Sequence, residues 1–437
     1  MRQTRLVRPL YSERFKCIGP ACEDSCCQGW SVHVDRKAFE KYQALPESPL
    51  RSLIDVHILR NAPAGDEAGN AAAPASENGD ANGGANTTVQ SSAPPFATIQ
   101  MPPSLACPFH TAESLCRIQA EQGEGYLCYT CATYPRRQHT IDRLEDKTLT
   151  LSCPEAARLV LLNPNLLASS MPGHQVLTWD DRAQGASALR FYFWPIREFS
   201  IGLLRNRAYP LWQRLFLLGT FARRLQAIVG GEVERGFPAV LRDFSAAVAS
   251  GTLRAAMEKI PADPHLQLDM VLRLVNLRLQ HVRLSARLVE SLHAFAQGIG
   301  IQPGATMGDQ AARYAEACRN HYTPFFSRHP HILENLLINA VIGELFPFGK
   351  NLFDPAATPE PARAFAQLAT QFALLKGLLI GVAGFHGQAF CAEHVVATVQ
   401  TAVKHFEHYP QFLVDAQELL AERGHDNAHG LTMLLRN

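Results

Sequence analysis

The sequence has no excess of charge of either sign. Lysine and arginine together number 41 and aspartate and glutamate 40, which gives a formal net charge of +1 at pH 7 over 437 residues. Binding to nucleic acid requires a concentrated basic surface, and here acidic residues are interleaved with the arginines. The composition therefore predicts that nucleic acid is not a partner.

The sequence also lacks a long uninterrupted hydrophobic run. Its longest apolar stretch, about 372–385, contains Lys376 and several glycines, and it is shorter than the roughly 20 residues of a typical membrane-spanning helix. The positive charges after Met1 are not followed by an apolar segment, so they do not form a signal peptide. These absences predict a cytoplasmic protein without a membrane partner, whose thiols stay reduced.

Several motifs of known chemistry are missing. There is no P-loop, no nucleophile elbow and no H-E-x-x-H zinc motif. The glycine-rich run 298–304 follows a helical pattern instead of a strand and contains a proline, so it is interpreted as a helix terminator and not as a dinucleotide-binding loop. The C-x3-C-x2-C motif of radical enzymes is absent because Cys26 is followed directly by Cys27 and position 29 is glycine.

Cysteine is abundant in the first part of the chain. Nine of the 11 cysteines precede residue 154, and clustered thiols in an intracellular chain more often hold a metal or cluster than form disulfides. Nine thiols exceed the four that one tetrahedral zinc needs, which favours an iron–sulfur cluster of the 4Fe-4S type, with zinc as the alternative. The predicted metal ligands are Cys17, Cys22, Cys26, Cys27, Cys107, Cys116, Cys128, Cys131 and Cys153.

The composition changes between residues 61 and 97. Ala, Gly, Asn, Ser and Pro dominate there, and lysine and arginine are absent. Such a segment cannot bury enough apolar surface to offset the entropy of ordering it, so it is predicted to be a disordered insertion. It interrupts one cysteine-rich metal or iron–sulfur module made of residues 1–60 and 98–154, without separating the two halves in space.

From residue 155 to 437 the pattern is helical. Apolar residues recur at spacings of three and four, with Gly and Pro between the periodic segments. Short alternating stretches near 30–34 and 147–152 predict strands in the first part of the chain. The predicted fold is therefore mainly α, with a small cysteine-rich α+β N-terminal module followed by a multi-helix α domain.

One predicted helix, 331–346, is apolar on almost every side and yet carries polar residues. His331, Asn335 and Asn339 form a stripe at i, i+4 spacing, and Glu334 lies beside it. Buried amides need hydrogen-bond partners. The stripe is therefore either a set of solvated or helix–helix hydrogen bonds, or the polar wall of a substrate or cofactor cleft.

Tyr134 and Arg136 are the other candidates for a cleft. They belong to a Tyr-Pro-Arg-Arg run that follows the last closely spaced cysteine pair. A guanidinium at this point can bind a carboxylate or phosphate group, and the alternative is an ordinary surface arginine.

Three segments of the chain resemble the flagellin lysine N-methylase family. The first, Arg8 to Val32, holds the run Cys-Glu-Asp-Ser-Cys-Cys-Gln-Gly-Trp; the second, Cys128 to Arg136, is C-x2-C-x2-Y-P-R; the third, Glu334 to Gly349, holds Glu-Asn and Leu-Phe-Pro-Phe-Gly. We call these the three signature segments. The cysteine-rich half also resembles a broader group of CxxCC-type proteins thought to bind iron–sulfur clusters or zinc, and the 61–97 insertion departs from the family.

The resemblance implies an enzyme that transfers methyl groups from S-adenosylmethionine to lysine ε-amines of flagellin, the protein of the bacterial flagellum. Amine methylation needs a positioned, deprotonated lysine and no redox step, so a cluster is expected to be structural or to form a platform for the donor. No Rossmann-type donor site is visible, and neither the donor-binding nor the catalytic residues are assigned. The alternative is a non-enzymatic iron–sulfur or zinc protein that acts as a binding or redox-sensing module.

Overall fold

The chain is described here by a computed structural model. It covers residues 6–28, 32–61, 96–102, 106–141, 144–167, 171–173, 188–229, 233–279, 285–353, 357–407 and 409–437. The predicted disordered insertion lies outside these residues except at its two ends.

The described residues form three small antiparallel sheets. Their strands are β1 (Leu6–Arg8) with β7 (Met171–Gly173), β2 (Val32–Val34) with β4 (Ala97–Ile99) and β3 (Ile58–Arg60), and β5 (Arg136–Ile141) with β6 (Leu144–Leu149). The pairing of β3 with β4 places Arg60 opposite Ala97. The two ends of the insertion therefore lie side by side, which confirms that it does not separate its flanking halves in space.

Short helices accompany the sheets in the first part of the chain. They are α1 (Arg36–Gln43), α2 (Pro49–His57), α3 (Arg117–Gln122), α4 (Tyr129–Thr133) and α5 (Pro154–Leu161). Helix α1 begins after Asp35, whose carboxylate accepts a hydrogen bond from the Ala38 amide at 2.9 Å. Helix α2 begins after Ser48, whose hydroxyl accepts from the Arg51 amide at 3.1 Å.

Helices dominate the rest of the described chain. They are α6 (Ala188–Arg205), α7 (Leu211–Val229), α8 (Val233–Ser250), α9 (Arg254–Glu258), α10 (Pro264–Leu279), α11 (Ala286–Gly298), α12 (Met307–Ala317), α13 (Thr323–Arg328), α14 (His331–Gly343), α15 (Pro361–His386), α16 (Ala392–Ala402), α17 (Pro410–Glu422) and α18 (Ala428–Leu435). Two π-helical segments, Cys318–Tyr322 and Val403–Glu407, follow α12 and α16. The prediction of a mainly α fold with a multi-helix tail is confirmed.

Helix α15 is the central helix of the tail. With the helical turn that follows, to Ala389, it is long and apolar enough to cross a bilayer, contrary to the expectation that its apolar stretch is too short. However, 83% of its most apolar window is buried inside the protein. The apolar composition of α15 is therefore accounted for by its packing against neighbouring helices.

Glycine allows α11 and α15 to approach each other closely. A Cβ atom added at Gly298 would lie 1.8 Å from the carbonyl oxygen of Gly381, and one added at Gly381 would lie 2.3 Å from the Phe295 ring. Helix α11 ends at Gly298, and Gly300 has a φ of +71°, a conformation that favours glycine. The interpretation of the 298–304 run as a helix terminator is confirmed.

The apolar side chains form two clusters. The larger cluster lies among the tail helices and also includes Tyr11, Phe15, Ile141 and Leu149 from the first part of the chain. The smaller cluster lies among β2, β3, β4, α1 and α2 and includes two of the cysteines. The larger core thus extends across the expected boundary at residue 155, and the division into domains stays a prediction.

Candidate functional site

The hairpin formed by β5 and β6 buries a polar face. Its register pairs Arg137 with Thr148 and His139 with Asp146, and cross-strand partners share one face of a sheet. The exposed fractions of these residues are 9%, 2%, 5% and 2%, in that order. An antiparallel sheet with one covered face normally buries apolar side chains there. The polar groups of this face therefore depend on partners from the elements that cover it.

Helix α6 supplies one of these partners. Arg197 forms an ion pair with Asp146, and the two side chains are only 3% and 1% exposed. The Arg197 guanidinium also lies 4.5 Å from the centroid of the Trp194 ring, which adds a cation–π contact. Removing one member of a buried ion pair leaves the other charge uncompensated, which is strongly destabilising. The pair therefore stabilises the packing of the hairpin against α6.

The C-terminal end of α14 also covers this face of the hairpin. Nε2 of His139 lies 3.3 Å from the Gly343 carbonyl oxygen, and Arg137 forms an ion pair with Glu344. A Cβ atom at Gly343 would lie 3.2 Å from the Thr148 hydroxyl oxygen and 3.4 Å from Nη1 of Arg137. The absence of a side chain at Gly343 therefore lets the hairpin pack closely against the end of α14.

The π-helical segment Val403–Glu407 brings a second carboxylate to Arg137. Burial raises the pKa of Glu407 to about 7; the Arg137 charge opposes this increase and the Glu344 charge adds to it. Arg137 therefore interacts with two carboxylates, those of Glu344 and Glu407. We call the whole group the polar seam: Arg137, His139, Asp146, Thr148, Arg197, Glu344 and Glu407.

The two asparagines of the predicted stripe hold α14 against the first part of the chain. Nδ2 of Asn335 donates to the Val160 carbonyl oxygen at the end of α5, at 2.9 Å. Asn339 accepts from the Tyr11 hydroxyl at 2.6 Å and donates to the Leu149 carbonyl oxygen at 2.9 Å. Their amides thus have the partners that buried amides need, and a role as a cleft wall stays a prediction.

Glu334 and His331 lie on the same helix in different surroundings. The Glu334 carboxylate accepts from Nε of Arg207 at 3.0 Å and from Nη1 of Arg214 at 2.9 Å. Glu334 and Arg214 are both 7% exposed, whereas Arg207 is 51% exposed. His331 is partly buried at the start of α14, and this burial lowers its pKa, with His329 and Arg207 adding to the effect.

Tyr134 and Arg136 of the second signature segment contact two different parts of the chain. The Tyr134 hydroxyl lies 3.0 Å from the Ser152 hydroxyl oxygen. Arg136 donates from Nη2 to the Phe15 carbonyl oxygen at 3.0 Å, and its guanidinium lies 5.0 Å from the centroid of the Phe15 ring. Arg136 therefore anchors the chain around Phe15, and the binding of a carboxylate or phosphate stays a prediction.

The three signature segments meet in one place. Tyr11 of the first contacts Asn339 of the third, and Phe15 of the first contacts Arg136 of the second. The polar seam begins at Arg137, directly after the second segment, and reaches the third segment at Glu344. Segments more than 300 residues apart in the sequence therefore build a single junction between the hairpin and the tail helices.

Sequence reasoning did not single out several residues of this junction, among them Asp146, Arg197 and Glu407. The hairpin strands carry charged residues on both faces, so no periodic pattern shows which face is buried. Arg197 lies in an amphipathic helical pattern, where an arginine normally lies on the solvated face. The proximity of Glu407 to Arg137 is a tertiary contact for which the sequence contains no signal.

Cysteines from both sides of the insertion lie together. The Cys107 amide donates to the Cys27 carbonyl oxygen at 2.7 Å. Burial raises the pKa of the Cys107 thiol to about 11, and the thiols of Cys116, Cys128 and Cys26 add to this increase. Thiols from three separate stretches of the sequence are therefore close enough to interact.

The other predicted ligands have varied surroundings. Burial raises the pKa of Cys153, the residue before α5, to about 12, with smaller contributions from Cys22 and Cys26. Cys17 is exposed, and its sulfur accepts a hydrogen bond from the Gly19 amide at 3.4 Å. Cys17 thus lies in more open surroundings than the thiols around Cys107.

All of the cysteines are free thiols. Within the part of the chain that the structure describes, no three His, Cys, Asp or Glu residues are arranged to hold a metal ion. Free thiols drawn together from distant sequence nevertheless have the chemical character that zinc and iron–sulfur clusters require. The donor set fits such a group in chemical kind, and the assignment of the nine ligands stays a prediction.

Comparison with known proteins assigns the tail helices to a family. Residues 197–434 match the family model described as the FliB lysine N-methylase C-terminal domain. The matched range begins at Arg197 and includes Glu344 and Glu407 of the polar seam, whereas the hairpin and the cysteines before residue 154 lie outside it. No solved structure matches the chain.

Curated relatives are similar to part of the chain. The lysine-N-methylases of Salmonella typhimurium and Salmonella choleraesuis are 27% and 26% identical to it over 171 residues, which are 39% of this chain and 36% of each relative. The flagellar biosynthetic protein FliU of Salmonella muenchen is 25% identical over 182 residues, 40% of this chain and 91% of that protein. The chain therefore spans about a third of the length of the two lysine-N-methylases that it matches.

The surroundings of Glu334 predict a structural role that can be measured. In Glu334→Ala, Arg214 loses its buried counter-charge, so the free energy of unfolding should fall by about 3 kcal/mol or more. In the control variant Arg207→Ala, which removes the exposed partner, the loss should stay below about 1 kcal/mol. Urea denaturation measures both. A Glu334→Ala protein with unchanged stability would contradict this role.

Proposed function

Because the family match covers more than half of the chain, this protein belongs to the flagellin lysine N-methylase family, and we propose that it transfers methyl groups to the ε-amines of lysines in flagellin. The match over α6–α18 is the observation that carries the proposal. The names of the similar Salmonella proteins, two lysine-N-methylases and a flagellar biosynthetic protein, support the same reaction and substrate class.

The chemistry of the reaction sets requirements for the site that carries it out. A lysine side chain has a pKa of about 10.4 and is protonated at neutral pH, so the site has to bind a cation and remove its proton. The nitrogen lone pair must then point at the methyl carbon of the donor. We propose S-adenosylmethionine as this donor on the basis of the family resemblance.

The proposed activity predicts a measurable change in flagellin. Flagellin co-expressed with this protein should gain methyl groups on lysine, detected as added mass on tryptic peptides. Purified flagellin should also incorporate label from methyl-labelled S-adenosylmethionine when the protein is present. Flagellin co-expressed with an empty vector serves as the control, and equal methylation of the two samples would contradict the proposal.

We further propose that the clustered thiols hold an iron–sulfur cluster, with zinc as the alternative. The candidate ligands come from both sides of the insertion, and their mutual proximity supports the proposal. Binding energy at a site of this kind is also folding energy. Such a group would join residues 17–27 to residues 107–153, and its contribution would be structural because transfer of a methyl group from sulfur to nitrogen needs no electron transfer.

Metal content tests this second proposal. Protein purified without oxygen should be brown and contain iron and acid-labile sulfide. Cys131→Ala should lose the colour and become protease-sensitive in the cysteine-rich part of the chain that precedes the β5–β6 hairpin. The control Cys318→Ala changes a thiol in the π-helical segment after α12, far from the clustered thiols in sequence. This variant should keep the colour and the protease resistance of the wild type. Colourless protein with stoichiometric zinc would support the alternative, and protein without metal would contradict both.

A further inference from the structure

The loop that carries the first closely spaced cysteines docks on the tail helices. We call Cys22 to Cys27, with the sequence Cys-Glu-Asp-Ser-Cys-Cys, the first cysteine loop. Nζ of Lys404 lies 2.9 and 3.0 Å from the two Asp24 carboxylate oxygens and donates to the Ser25 carbonyl oxygen at 2.9 Å. The Lys404 and Asp24 side chains are only 9% and 11% exposed, so salt screens this ion pair less than it screens a surface pair.

Gln400 joins the first cysteine loop to the segment before α5. Its side-chain nitrogen, Nε2, donates to the Asp24 carboxylate at 2.7 Å and to the Ser152 carbonyl oxygen at 2.9 Å. Gln400 is completely buried, and Ser152 directly precedes Cys153. One amide group of the tail therefore holds the first cysteine loop beside the segment that carries Cys153, although the two are far apart in the sequence.

The other acidic residue of the loop also contacts helices. Arg158 on α5 forms an ion pair with the Glu23 carboxylate, and Nη2 of Arg287 on α11 lies 3.5 Å from an oxygen of the same carboxylate. Glu23 and its neighbour Asp24 both lie between the cysteines of the loop. The acidic residues of the first cysteine loop therefore attach it to three helical elements: α5, α11, and α16 with the π-helical segment that follows it.

A second side of the loop contacts the chain that follows the insertion. Nε2 of His110 lies 3.2 Å from the Ser25 hydroxyl oxygen, and the Cys107 amide donates to the Cys27 carbonyl oxygen at 2.7 Å. The first cysteine loop therefore lies between this segment and the tail helices. Its position relative to the other thiols depends on contacts with both.

We propose that the tail helices form part of the scaffold of the metal centre, with Lys404 and Gln400 as positioning residues that hold the first cysteine loop beside Cys153. This inference rests on the proposed metal binding by the clustered thiols. Residues that orient metal ligands from outside are part of a metal site, and their mutation usually weakens metal binding about 10–100-fold.

The polar character of the two positioning residues supports this role. A buried amide or ammonium group costs free energy unless partners satisfy it, and an apolar side chain at either position would serve the packing of helices alone. Within the described residues, Gln400 and Lys404 donate hydrogen bonds only to residues one or two positions from a cysteine. These two side chains therefore specify where the first cysteine loop docks.

Docking and metal binding should stabilise each other. If docking of the loop favours metal binding, bound metal favours docking by the same factor. Lys404 lies in the π-helical segment Val403–Glu407. Bound metal should therefore stabilise this segment, and removal of the metal should loosen it.

The rate at which the full chain loses its metal to EDTA tests the inference. In Lys404→Met and Gln400→Met, elemental analysis should show that iron or zinc is lost about tenfold faster than from the wild type. Asp24→Asn removes the ion pair from the side of the loop, and it serves as the test if circular dichroism shows that a tail variant is not folded. The control is Glu334→Ala, which breaks a buried ion pair elsewhere in the tail and should keep its metal as long as the wild type does.

The possible results separate this inference from the metal proposal. Wild-type retention of metal by Lys404→Met and Asp24→Asn would overturn the inference. Equally fast loss from Glu334→Ala would also overturn it, because the effect would then follow from reduced stability alone. Wild-type protein without metal would instead overturn the metal proposal, and this inference with it.

Hydrogen exchange of the backbone amides of Val403–Glu407 gives a second readout. In wild-type protein these amides should exchange faster after the metal is removed with EDTA, whereas the amides of α7 should exchange at the same rate before and after. Equal exchange of Val403–Glu407 with and without metal would overturn the inference. Neither measurement involves methyl transfer, so the results do not depend on the proposed reaction.

Discussion

The buried ion pair between Asp146 and Arg197 is the contact on which the polar seam depends. A hairpin face made of charged and hydroxyl groups can be buried only if the covering elements supply opposite charges and hydrogen-bond partners. Arg197 on α6 supplies one charge, and Glu344 after α14 supplies another. Arg197 lies on α6 and Glu344 lies directly after α14. These two contacts therefore also fix the position of the hairpin on the tail helices.

The same helical tail positions the first cysteine loop. Lys404, in the π-helical segment after α16, contacts the Asp24 carboxylate at 2.9 Å and the Ser25 carbonyl oxygen at 2.9 Å. Gln400 on α16 donates to the same carboxylate at 2.7 Å. Lys404 lies only three residues before Glu407, so one short segment contacts both the cysteine loop and the polar seam. The two regions with candidate chemistry are therefore linked through the backbone of Val403–Glu407.

Local signals in the sequence predicted the elements better than their contacts. The apolar period predicted the tail helices, because amphipathicity depends on residues that are neighbours in the sequence. The polar stripe on α14 was recognised as unusual, but its partners at Tyr11, Val160 and Leu149 depend on the tertiary fold. The buried face of the hairpin was not predicted, since its residues carry the composition of a solvated surface.

The central claim is that the hairpin and the tail helices form one folding unit whose core crosses residue 155. Thermal unfolding of two fragments, residues 134–437 and residues 155–437, tests it most directly. The shorter fragment lacks Asp146 and Leu149, so Arg197 is left without its counter-charge and Asn339 without an acceptor. A loss of about 3 kcal/mol or more should lower its melting temperature by roughly 6–12 °C. Equal melting temperatures for the two fragments would contradict the claim.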